Sequence, residues 1–201
     1  MRPLCFGGSF NPIHHGHLIC ARAAAEAAGF HRVLLIPAAV PPHKPGATNL
    51  VAPEHRLAMC RLAAGLQPAL FEVDDRELRR TGPSYTIDTV RELKSHGWPS
   101  VTWLIGADMI EQLPTWHDAD RLIEETEFLV MARPGCPLDF AALPPAYRKL
   151  KKRIVPAPLL DISGTEIRHR IAMGRSIEFL VPPAVARYIA EHGLYASADP
   201  G

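Results

Sequence analysis

No apolar run in the 201 residues approaches the roughly 20 that a bilayer-spanning helix needs. The four cysteines, Cys5, Cys20, Cys60 and Cys136, include no Cys-x-x-Cys pair, so neither zinc-site spacing nor a dithiol redox motif is present. Free, buried thiols in a reducing cytosol are expected instead. Charge of one sign is also missing: 22 Lys and Arg stand against 21 Asp and Glu, a net charge of +1. That argues against a protein that coats nucleic acid. The opening residues Met1–Phe6 meet Gly7-Gly8 too soon for a signal peptide, so a cytoplasmic chain with no membrane partner is expected. Internal repeats and low-complexity tracts are absent too. With 47% apolar and 21% charged residues, the composition is globular, and intrinsic disorder is excluded for most of the chain.

Proline is abundant: 20 residues, about twice the usual roughly 5%. The prolines punctuate rather than repeat, falling between short apolar runs. Those runs, Leu4–Phe6, Val33–Ile36, Leu70–Val73, Val101–Ile105 and Phe128–Met131, read as strands buried on both faces. Helical stretches alternate with them: 18–28 before Gly29, 54–64 after Pro53, and 86–96 before Gly97. The alternation predicts an α/β fold, an open parallel sheet with right-handed crossovers and helices on both faces. Two further helices, 165–173 and 183–192, are expected to form a small C-terminal helical cap, and 196–201 a flexible tail. One domain, residues 1–195, accounts for the rest.

Charge is unevenly spread. Residues 1–70 carry a net +4, 71–140 a net −7 and 141–201 a net +4. If the two basic ends meet, they make a positive pocket for a small anion. Ligands of open α/β sheets sit at the carboxyl ends of the strands, so the residues that follow each strand are the candidates.

After the first strand comes Gly7-Gly8-Ser9-Phe10-Asn11-Pro12-Ile13-His14-His15-Gly16-His17. Paired glycines are expected to turn sharply and let backbone approach a ligand, and the next helix offers open N–H groups to a phosphate. No Gly-Lys-Ser/Thr follows, so this is not a Walker A loop. It is not Gly-x-Gly-x-x-Gly either, and no acidic residue precedes Glu26 to hold a cofactor ribose, which disfavours a dinucleotide dehydrogenase. His14 and His17, three apart on a first helical turn, lie on one side and can donate hydrogen bonds to phosphate oxygens. Read in isolation, they also fit two structural histidines or half of a metal site lacking a third ligand.

Late in the chain, Asp161-Ile162-Ser163-Gly164-Thr165-Glu166-Ile167-Arg168 holds a Ser-x-x-Glu capping box, with Ile162 and Ile167 as a hydrophobic staple. A helix therefore starts at about Gly164, and the Ser163 and Thr165 hydroxyls with Arg168 gather at its anion-attracting end. A well-capped ordinary helix satisfies the same pattern. The basic run 148–153 reads as a solvated face, Asp74-Asp75 as a polar turn, and Trp98 and Trp103 as packing residues. His31, His55, His96, His169 and His192 have no partner at catalytic spacing.

Together, 7–17 and 162–168 resemble the nucleotidyltransferase α/β-phosphodiesterase superfamily, which carries an HxGH motif early and an ISSTxIR-like motif late. Intermediate landmarks at 41–44, 82–89, 106–108, 114–116 and 133–135 extend the resemblance over about residues 2–195. The Tyr85-Thr86 and Trp116 segments point to its bacterial nicotinate-nucleotide adenylyltransferase branch. The resemblance implies a Rossmann-like nucleotidyltransferase domain that joins the AMP part of ATP to nicotinate mononucleotide in NAD biosynthesis. Mg²⁺ would arrive with ATP, small molecules would be the partners, and a homo-oligomer stays open.

By the same resemblance, His14, His17 and Arg168 are catalytic. Gly7, Gly8, Ser9, Phe10, Gly16, Ser163, Thr165 and Arg168 bind ATP. Lys44, Tyr85, Thr86, Trp116, His117 and Arg133 serve the mononucleotide, with Gly106 and Asp108 on a ribose and Trp116 stacking on the pyridine ring. Three positions depart from the pattern: Asn11 where Asp is frequent, Gly164 for the second serine, and His117 where tyrosine is common. The same motifs also fit adenylyltransferases for nicotinamide mononucleotide or phosphopantetheine, or a non-catalytic nucleotide-binding module.

Overall fold

The computed structural model describes residues 3–42, 49–132 and 139–196. Six strands form one all-parallel sheet: β1 (Leu4–Gly8), β2 (Val33–Pro37), β3 (Phe71–Val73), β4 (Thr102–Gly106), β5 (Glu127–Ala132) and β6 (Ile154–Pro156). Their order is β3-β2-β1-β4-β5-β6, so the chain reverses direction across the sheet between β1 and β4. That switch point opens a crevice at the carboxyl ends of the strands.

Alternate side chains feed opposite faces, as a period of two requires. Leu4, Phe6, Val33, Leu35 and Leu104 enter one core, under α1 (His15–Ala27) and α2 (Pro53–Ala64). Cys5, Leu34, Ile36, Trp103 and Ile105 enter the other, under α3 (Thr86–Ser95), α4 (Ala119–Glu125) and a 3₁₀ helix at Pro145–Arg153. The five expected strands are all present, within two residues at each end. β6 lies outside the expected elements, and α4 takes the helix place that the alternation implies between the fourth and fifth strands, where no range is expected. β6 has three residues and α4 seven, too short for a periodic signal.

The helices α5 (Gly164–Ala172) and α6 (Pro183–Glu191) place Ile167, Val185 and Ile189 in the α1/α2 core. The two basic ends therefore do meet: Arg168 Nη1 donates to the Asn11 carbonyl at 2.7 Å. Only half of the expected capping box forms. Ser163 Oγ accepts from the Glu166 N–H at 3.1 Å, while the Glu166 side chain stays in solvent. The staple holds, with Ile167 buried and Ile162 packed against the same core.

Asp74 closes a local turn by accepting from Arg76, as its sequence context suggested. No helix among the described residues is long and apolar enough to cross a membrane. Cys5 and Cys60 are buried free thiols and Cys20 is half-buried. Cys136 and, past Ala196, the expected tail lie outside the described residues.

Candidate active site

The sequence suggests a turn at Gly7-Gly8, but both glycines are strand residues, paired with Ile36 and Pro37 of β2. Glycine is needed at position 7 for another reason: a Cβ there would lie 2.5 Å from the Trp103 indole. The chain turns later, at Phe10, whose φ of 45° lies in the left-handed region. That turn delivers residues 11–14 to the start of α1.

His14 is the N-cap of α1 and His17 its third residue. Each ring accepts the other residue's backbone N–H at Nδ1, at 3.4 Å for His17 N to His14 and 3.3 Å for His14 N to His17. This is a capping box built from two imidazoles, which then stack with centroids 3.7 Å apart. With Nδ1 accepting, each neutral ring carries its proton on Nε2, a tautomer assigned from the hydrogen bonds. Gly16 between them makes room, since a Cβ would come within 3.0 Å of His14 Nδ1. Burial holds the His14 imidazole at about 4, well below its usual range, and neighbouring His15 adds to the effect.

This shift gives a pH signature. The unfolded imidazole takes a proton near pH 6.5 and the folded one only near pH 4. Between these limits the unfolded chain binds the extra proton, so stability is full above pH 6.5 and drains as pH falls. Asn caps helices well and does not titrate. The unfolding free energy of wild type relative to His14→Asn should hold steady above pH 7, then drop by about 3 kcal/mol between pH 6.5 and 4. Urea titrations across that range will read it, and parallel curves for the two proteins would refute the assignment.

Facing the histidines is the α5 N-terminus. Thr165 Oγ1 accepts from Arg168 Nη2 at 3.2 Å, and Arg168 Nη1 is held by Asn11. The departure at Gly164 has a packing cause, since a Cβ would come 2.9 Å from the Asn11 carbonyl and 3.3 Å from Arg168 Nη1. Asn11 also has a local reason. Its Nδ2 donates to the Asn49 carbonyl at 2.8 Å, which a carboxylate could not do. Its Oδ1 accepts from Tyr195 Oη at 2.8 Å and from Val51 N at 3.3 Å.

These groups line one cavity of about 950 Å³ at the switch point. Gly7, Ser9, Phe10, His14, Gly16, His17, Ser163, Thr165 and Arg168 lie on its wall, as do Gly106 and Asp108 at the end of β4. Gly8 is at the adjoining strand end, where a Cβ would meet the Phe10 ring. A Cβ at Gly106 would meet the end of the exposed Asp108 side chain.

A second cavity, about 270 Å³, is lined by Pro42, Tyr85, Thr86, Thr115, Trp116, His117 and Leu122. Trp116 lines both cavities. His117 stacks on Tyr85, with centroids 4.0 Å apart, so the departure at 117 keeps a flat ring there. Tyr85 gives α3 no side-chain cap, which leaves the leading N–H groups of that helix beside Thr86. Lys44 and Arg133 lie outside the described residues. Among those residues, no group of three His, Cys, Asp or Glu side chains is arranged to hold a metal ion.

Sequence reasoning missed Arg56, Ser84 and Tyr195. Arg56 had a signal: on α2 it falls in register with Met59, Cys60, Ala63 and Ala64, a charge on an otherwise apolar stripe. Ser84 falls within the 82–89 landmark, but its bonds to Ala39 N and Val40 N, like that of Tyr195 to Asn11, span 44 or more residues and leave no local signal.

A cytidylyltransferase-like family model matches residues 5–170. A relative from Roseiflexus sp. (strain RS-1) is 42% identical over 191 residues, covering 94% of this chain and 95% of its own. One from Thermus thermophilus is 44% identical over 198 residues, covering 97% of this chain and 100% of its own. Both carry the name "Probable nicotinate-nucleotide adenylyltransferase". Among solved structures, Plasmodium falciparum nicotinic acid mononucleotide adenylyltransferase complexed with NaAD superposes with a TM-score of 0.75 at 19% identity, over 97% of this chain and 98% of that one. That likeness establishes the fold.

Proposed function

Because this chain belongs to the cytidylyltransferase-like family, among the nicotinate-nucleotide adenylyltransferases, we propose that it transfers the AMP part of ATP to nicotinate mononucleotide, giving deamido-NAD and pyrophosphate. The 5′-phosphate of the mononucleotide attacks the α-phosphorus of ATP in line; a new P–O bond forms as the bond to pyrophosphate breaks. The attacking phosphate is already ionised, so no strong general base is needed. Catalysis then rests on positioning two anions and stabilising charge as it moves.

In this reading the Nε2–H groups of His14 and His17 donate to the phosphoryl oxygens. The α5 N-terminus, Ser163, Thr165 and Arg168 hold the β- and γ-phosphates. Gly7, Gly8, Ser9, Phe10 and Gly16 let the backbone approach ATP. Gly106 and Asp108 meet a ribose. Tyr85, Thr86, Trp116 and His117 receive the pyridine ring, and Lys44 and Arg133 are retained on the mononucleotide side. Mg²⁺ enters as part of the ATP substrate. A cytoplasmic setting belongs to the same proposal and fits the buried free thiols Cys5 and Cys60.

One observation carries the reading: Trp116 lines both the large cavity beside the histidines and the small one beside Thr86. A two-nucleotide product would span them with its pyridine ring at the indole. The uncapped start of α3 offers N–H donors to a carboxylate, which an amide cannot replace as a charged acceptor. We therefore expect kcat/KM with Mg-ATP to favour nicotinate over nicotinamide mononucleotide by at least about tenfold, or roughly 1.4 kcal/mol. Trp116→Ala should weaken both mononucleotides and leave the KM for ATP nearly unchanged. Equal efficiency with acid and amide would overturn the substrate assignment while leaving adenylyl transfer standing.

A further inference from the structure

Arg56 is wholly buried, 0% exposed, on the inner face of α2. Among the described residues its guanidinium donates only to backbone carbonyls: Nε to Val51 at 3.0 Å, Nη1 to Ser9 at 2.8 Å and to Ala38, and Nη2 to Ala39 at 2.9 Å. Among the described residues it makes no ion pair, and burial disfavours its charged form. As a structural staple this is an expensive choice, because a buried cation without a carboxylate is usually less stable than an apolar side chain of similar volume.

The four carbonyls belong to two loops, Ser9 to the one after β1 and Ala38, Ala39 and Val51 to the two ends of the one between β2 and α2, and they lead to three parts of the site. Ser9 directly precedes the turn that delivers His14 and His17. Ala39 N–H donates to Ser84 Oγ at 2.9 Å and Val40 N–H to the same oxygen at 3.3 Å, next to Tyr85 and Thr86 at the small cavity. Val51 N–H donates to Asn11 Oδ1, and the Asn11 carbonyl holds Arg168. One planar fork thus joins the histidine turn, the small-cavity wall and the anchor of Arg168, without touching either cavity.

We propose that Arg56 is a positioning residue for adenylyl transfer, holding the carboxyl-end loops of β1 and β2 and the start of α2 in the relative places that the two substrates require. The proposal deepens the adenylyltransferase reading and rests on it. An ammonium keeps the charge but donates from one point, so it cannot span four carbonyls set around a planar fork. A misplacement of about 1 Å in such a site costs on the order of 10² in rate.

The test is steady-state turnover of wild type and Arg56→Lys with Mg-ATP and nicotinate mononucleotide, normalised to folded protein by circular dichroism. The expected result is a kcat at least tenfold lower in the folded variant, with the KM for ATP within about threefold. A structural role alone would lower the melting temperature and leave kcat per folded molecule unchanged; that result overturns the proposal. If Arg56→Lys does not fold, Ser84→Ala loosens the same lattice more gently. It should lower kcat/KM for the mononucleotide at least threefold with little change in the KM for ATP, and unchanged kinetics would overturn the proposal. Absence of turnover in wild type would sink the adenylyltransferase reading and the proposal together, whereas wild-type turnover matched by the variant would sink the proposal alone.

Discussion

Alanine in place of His17 is expected to lower kcat by roughly 10²–10³, about 2.7–4 kcal/mol, the usual cost of losing one donor aimed at transition-state charge. The fold should survive. His17 is half-buried, and its cap bond to His14 N is long, at 3.3 Å. His14→Ala should match it in kcat and also lose about 1 kcal/mol of stability, because His14 is the N-cap of α1. His14→Asn separates the two roles. It supplies a cap acceptor, an oxygen in place of Nδ1, but carries no Nε2–H at the reach of an imidazole, so stability should return and kcat should not. Saturating kinetics and thermal melts of the three variants make the check. A near wild-type kcat in His17→Ala or His14→Asn would show that the stacked pair is only a helix cap.

Lysine in place of Arg168 is expected to raise the KM for ATP at least about tenfold, since charge-assisted hydrogen bonds contribute roughly 1.5–3 kcal/mol each. The charge survives but the fork does not. In the structure the two ends of the guanidinium are already committed in different directions, Nη1 to the Asn11 carbonyl and Nη2 to Thr165 Oγ1. That arrangement fixes the plane in which the remaining N–H groups point. An ammonium on a flexible stem can keep one of these contacts and loses the fixed plane. The KM for nicotinate mononucleotide should change less than about twofold, because on this reading its pyridine ring sits beyond Trp116. Equal effects on both substrates, measured with each varied at saturation of the other, would remove Arg168 from the triphosphate site.

What the sequence determined by itself is local. Five strands were legible because each is a short apolar run buried on two faces, and the helix starts because caps and prolines act within four residues. His14, Gly16 and His17 were legible as a unit for the same reason, and so was the helix that begins at Gly164. Tertiary structure decided whatever depends on partners far along the chain. The glycine at position 7 looked like a turn residue and proved to be the floor for Trp103, 96 residues later. Gly164 and Asn11 looked like lost contacts. Their meaning appears only when Asn11 O, Gly164 and Arg168 come together. Arg56 broke the apolar pattern of its helix, but its four carbonyls lie on two loops that approach one another only once β1 and β2 pair. Side-chain periodicity and capping act over one or two turns of chain. The order of strands, and the crevice that the order opens between β1 and β4, is set by packing across the whole sheet, which no window of sequence contains.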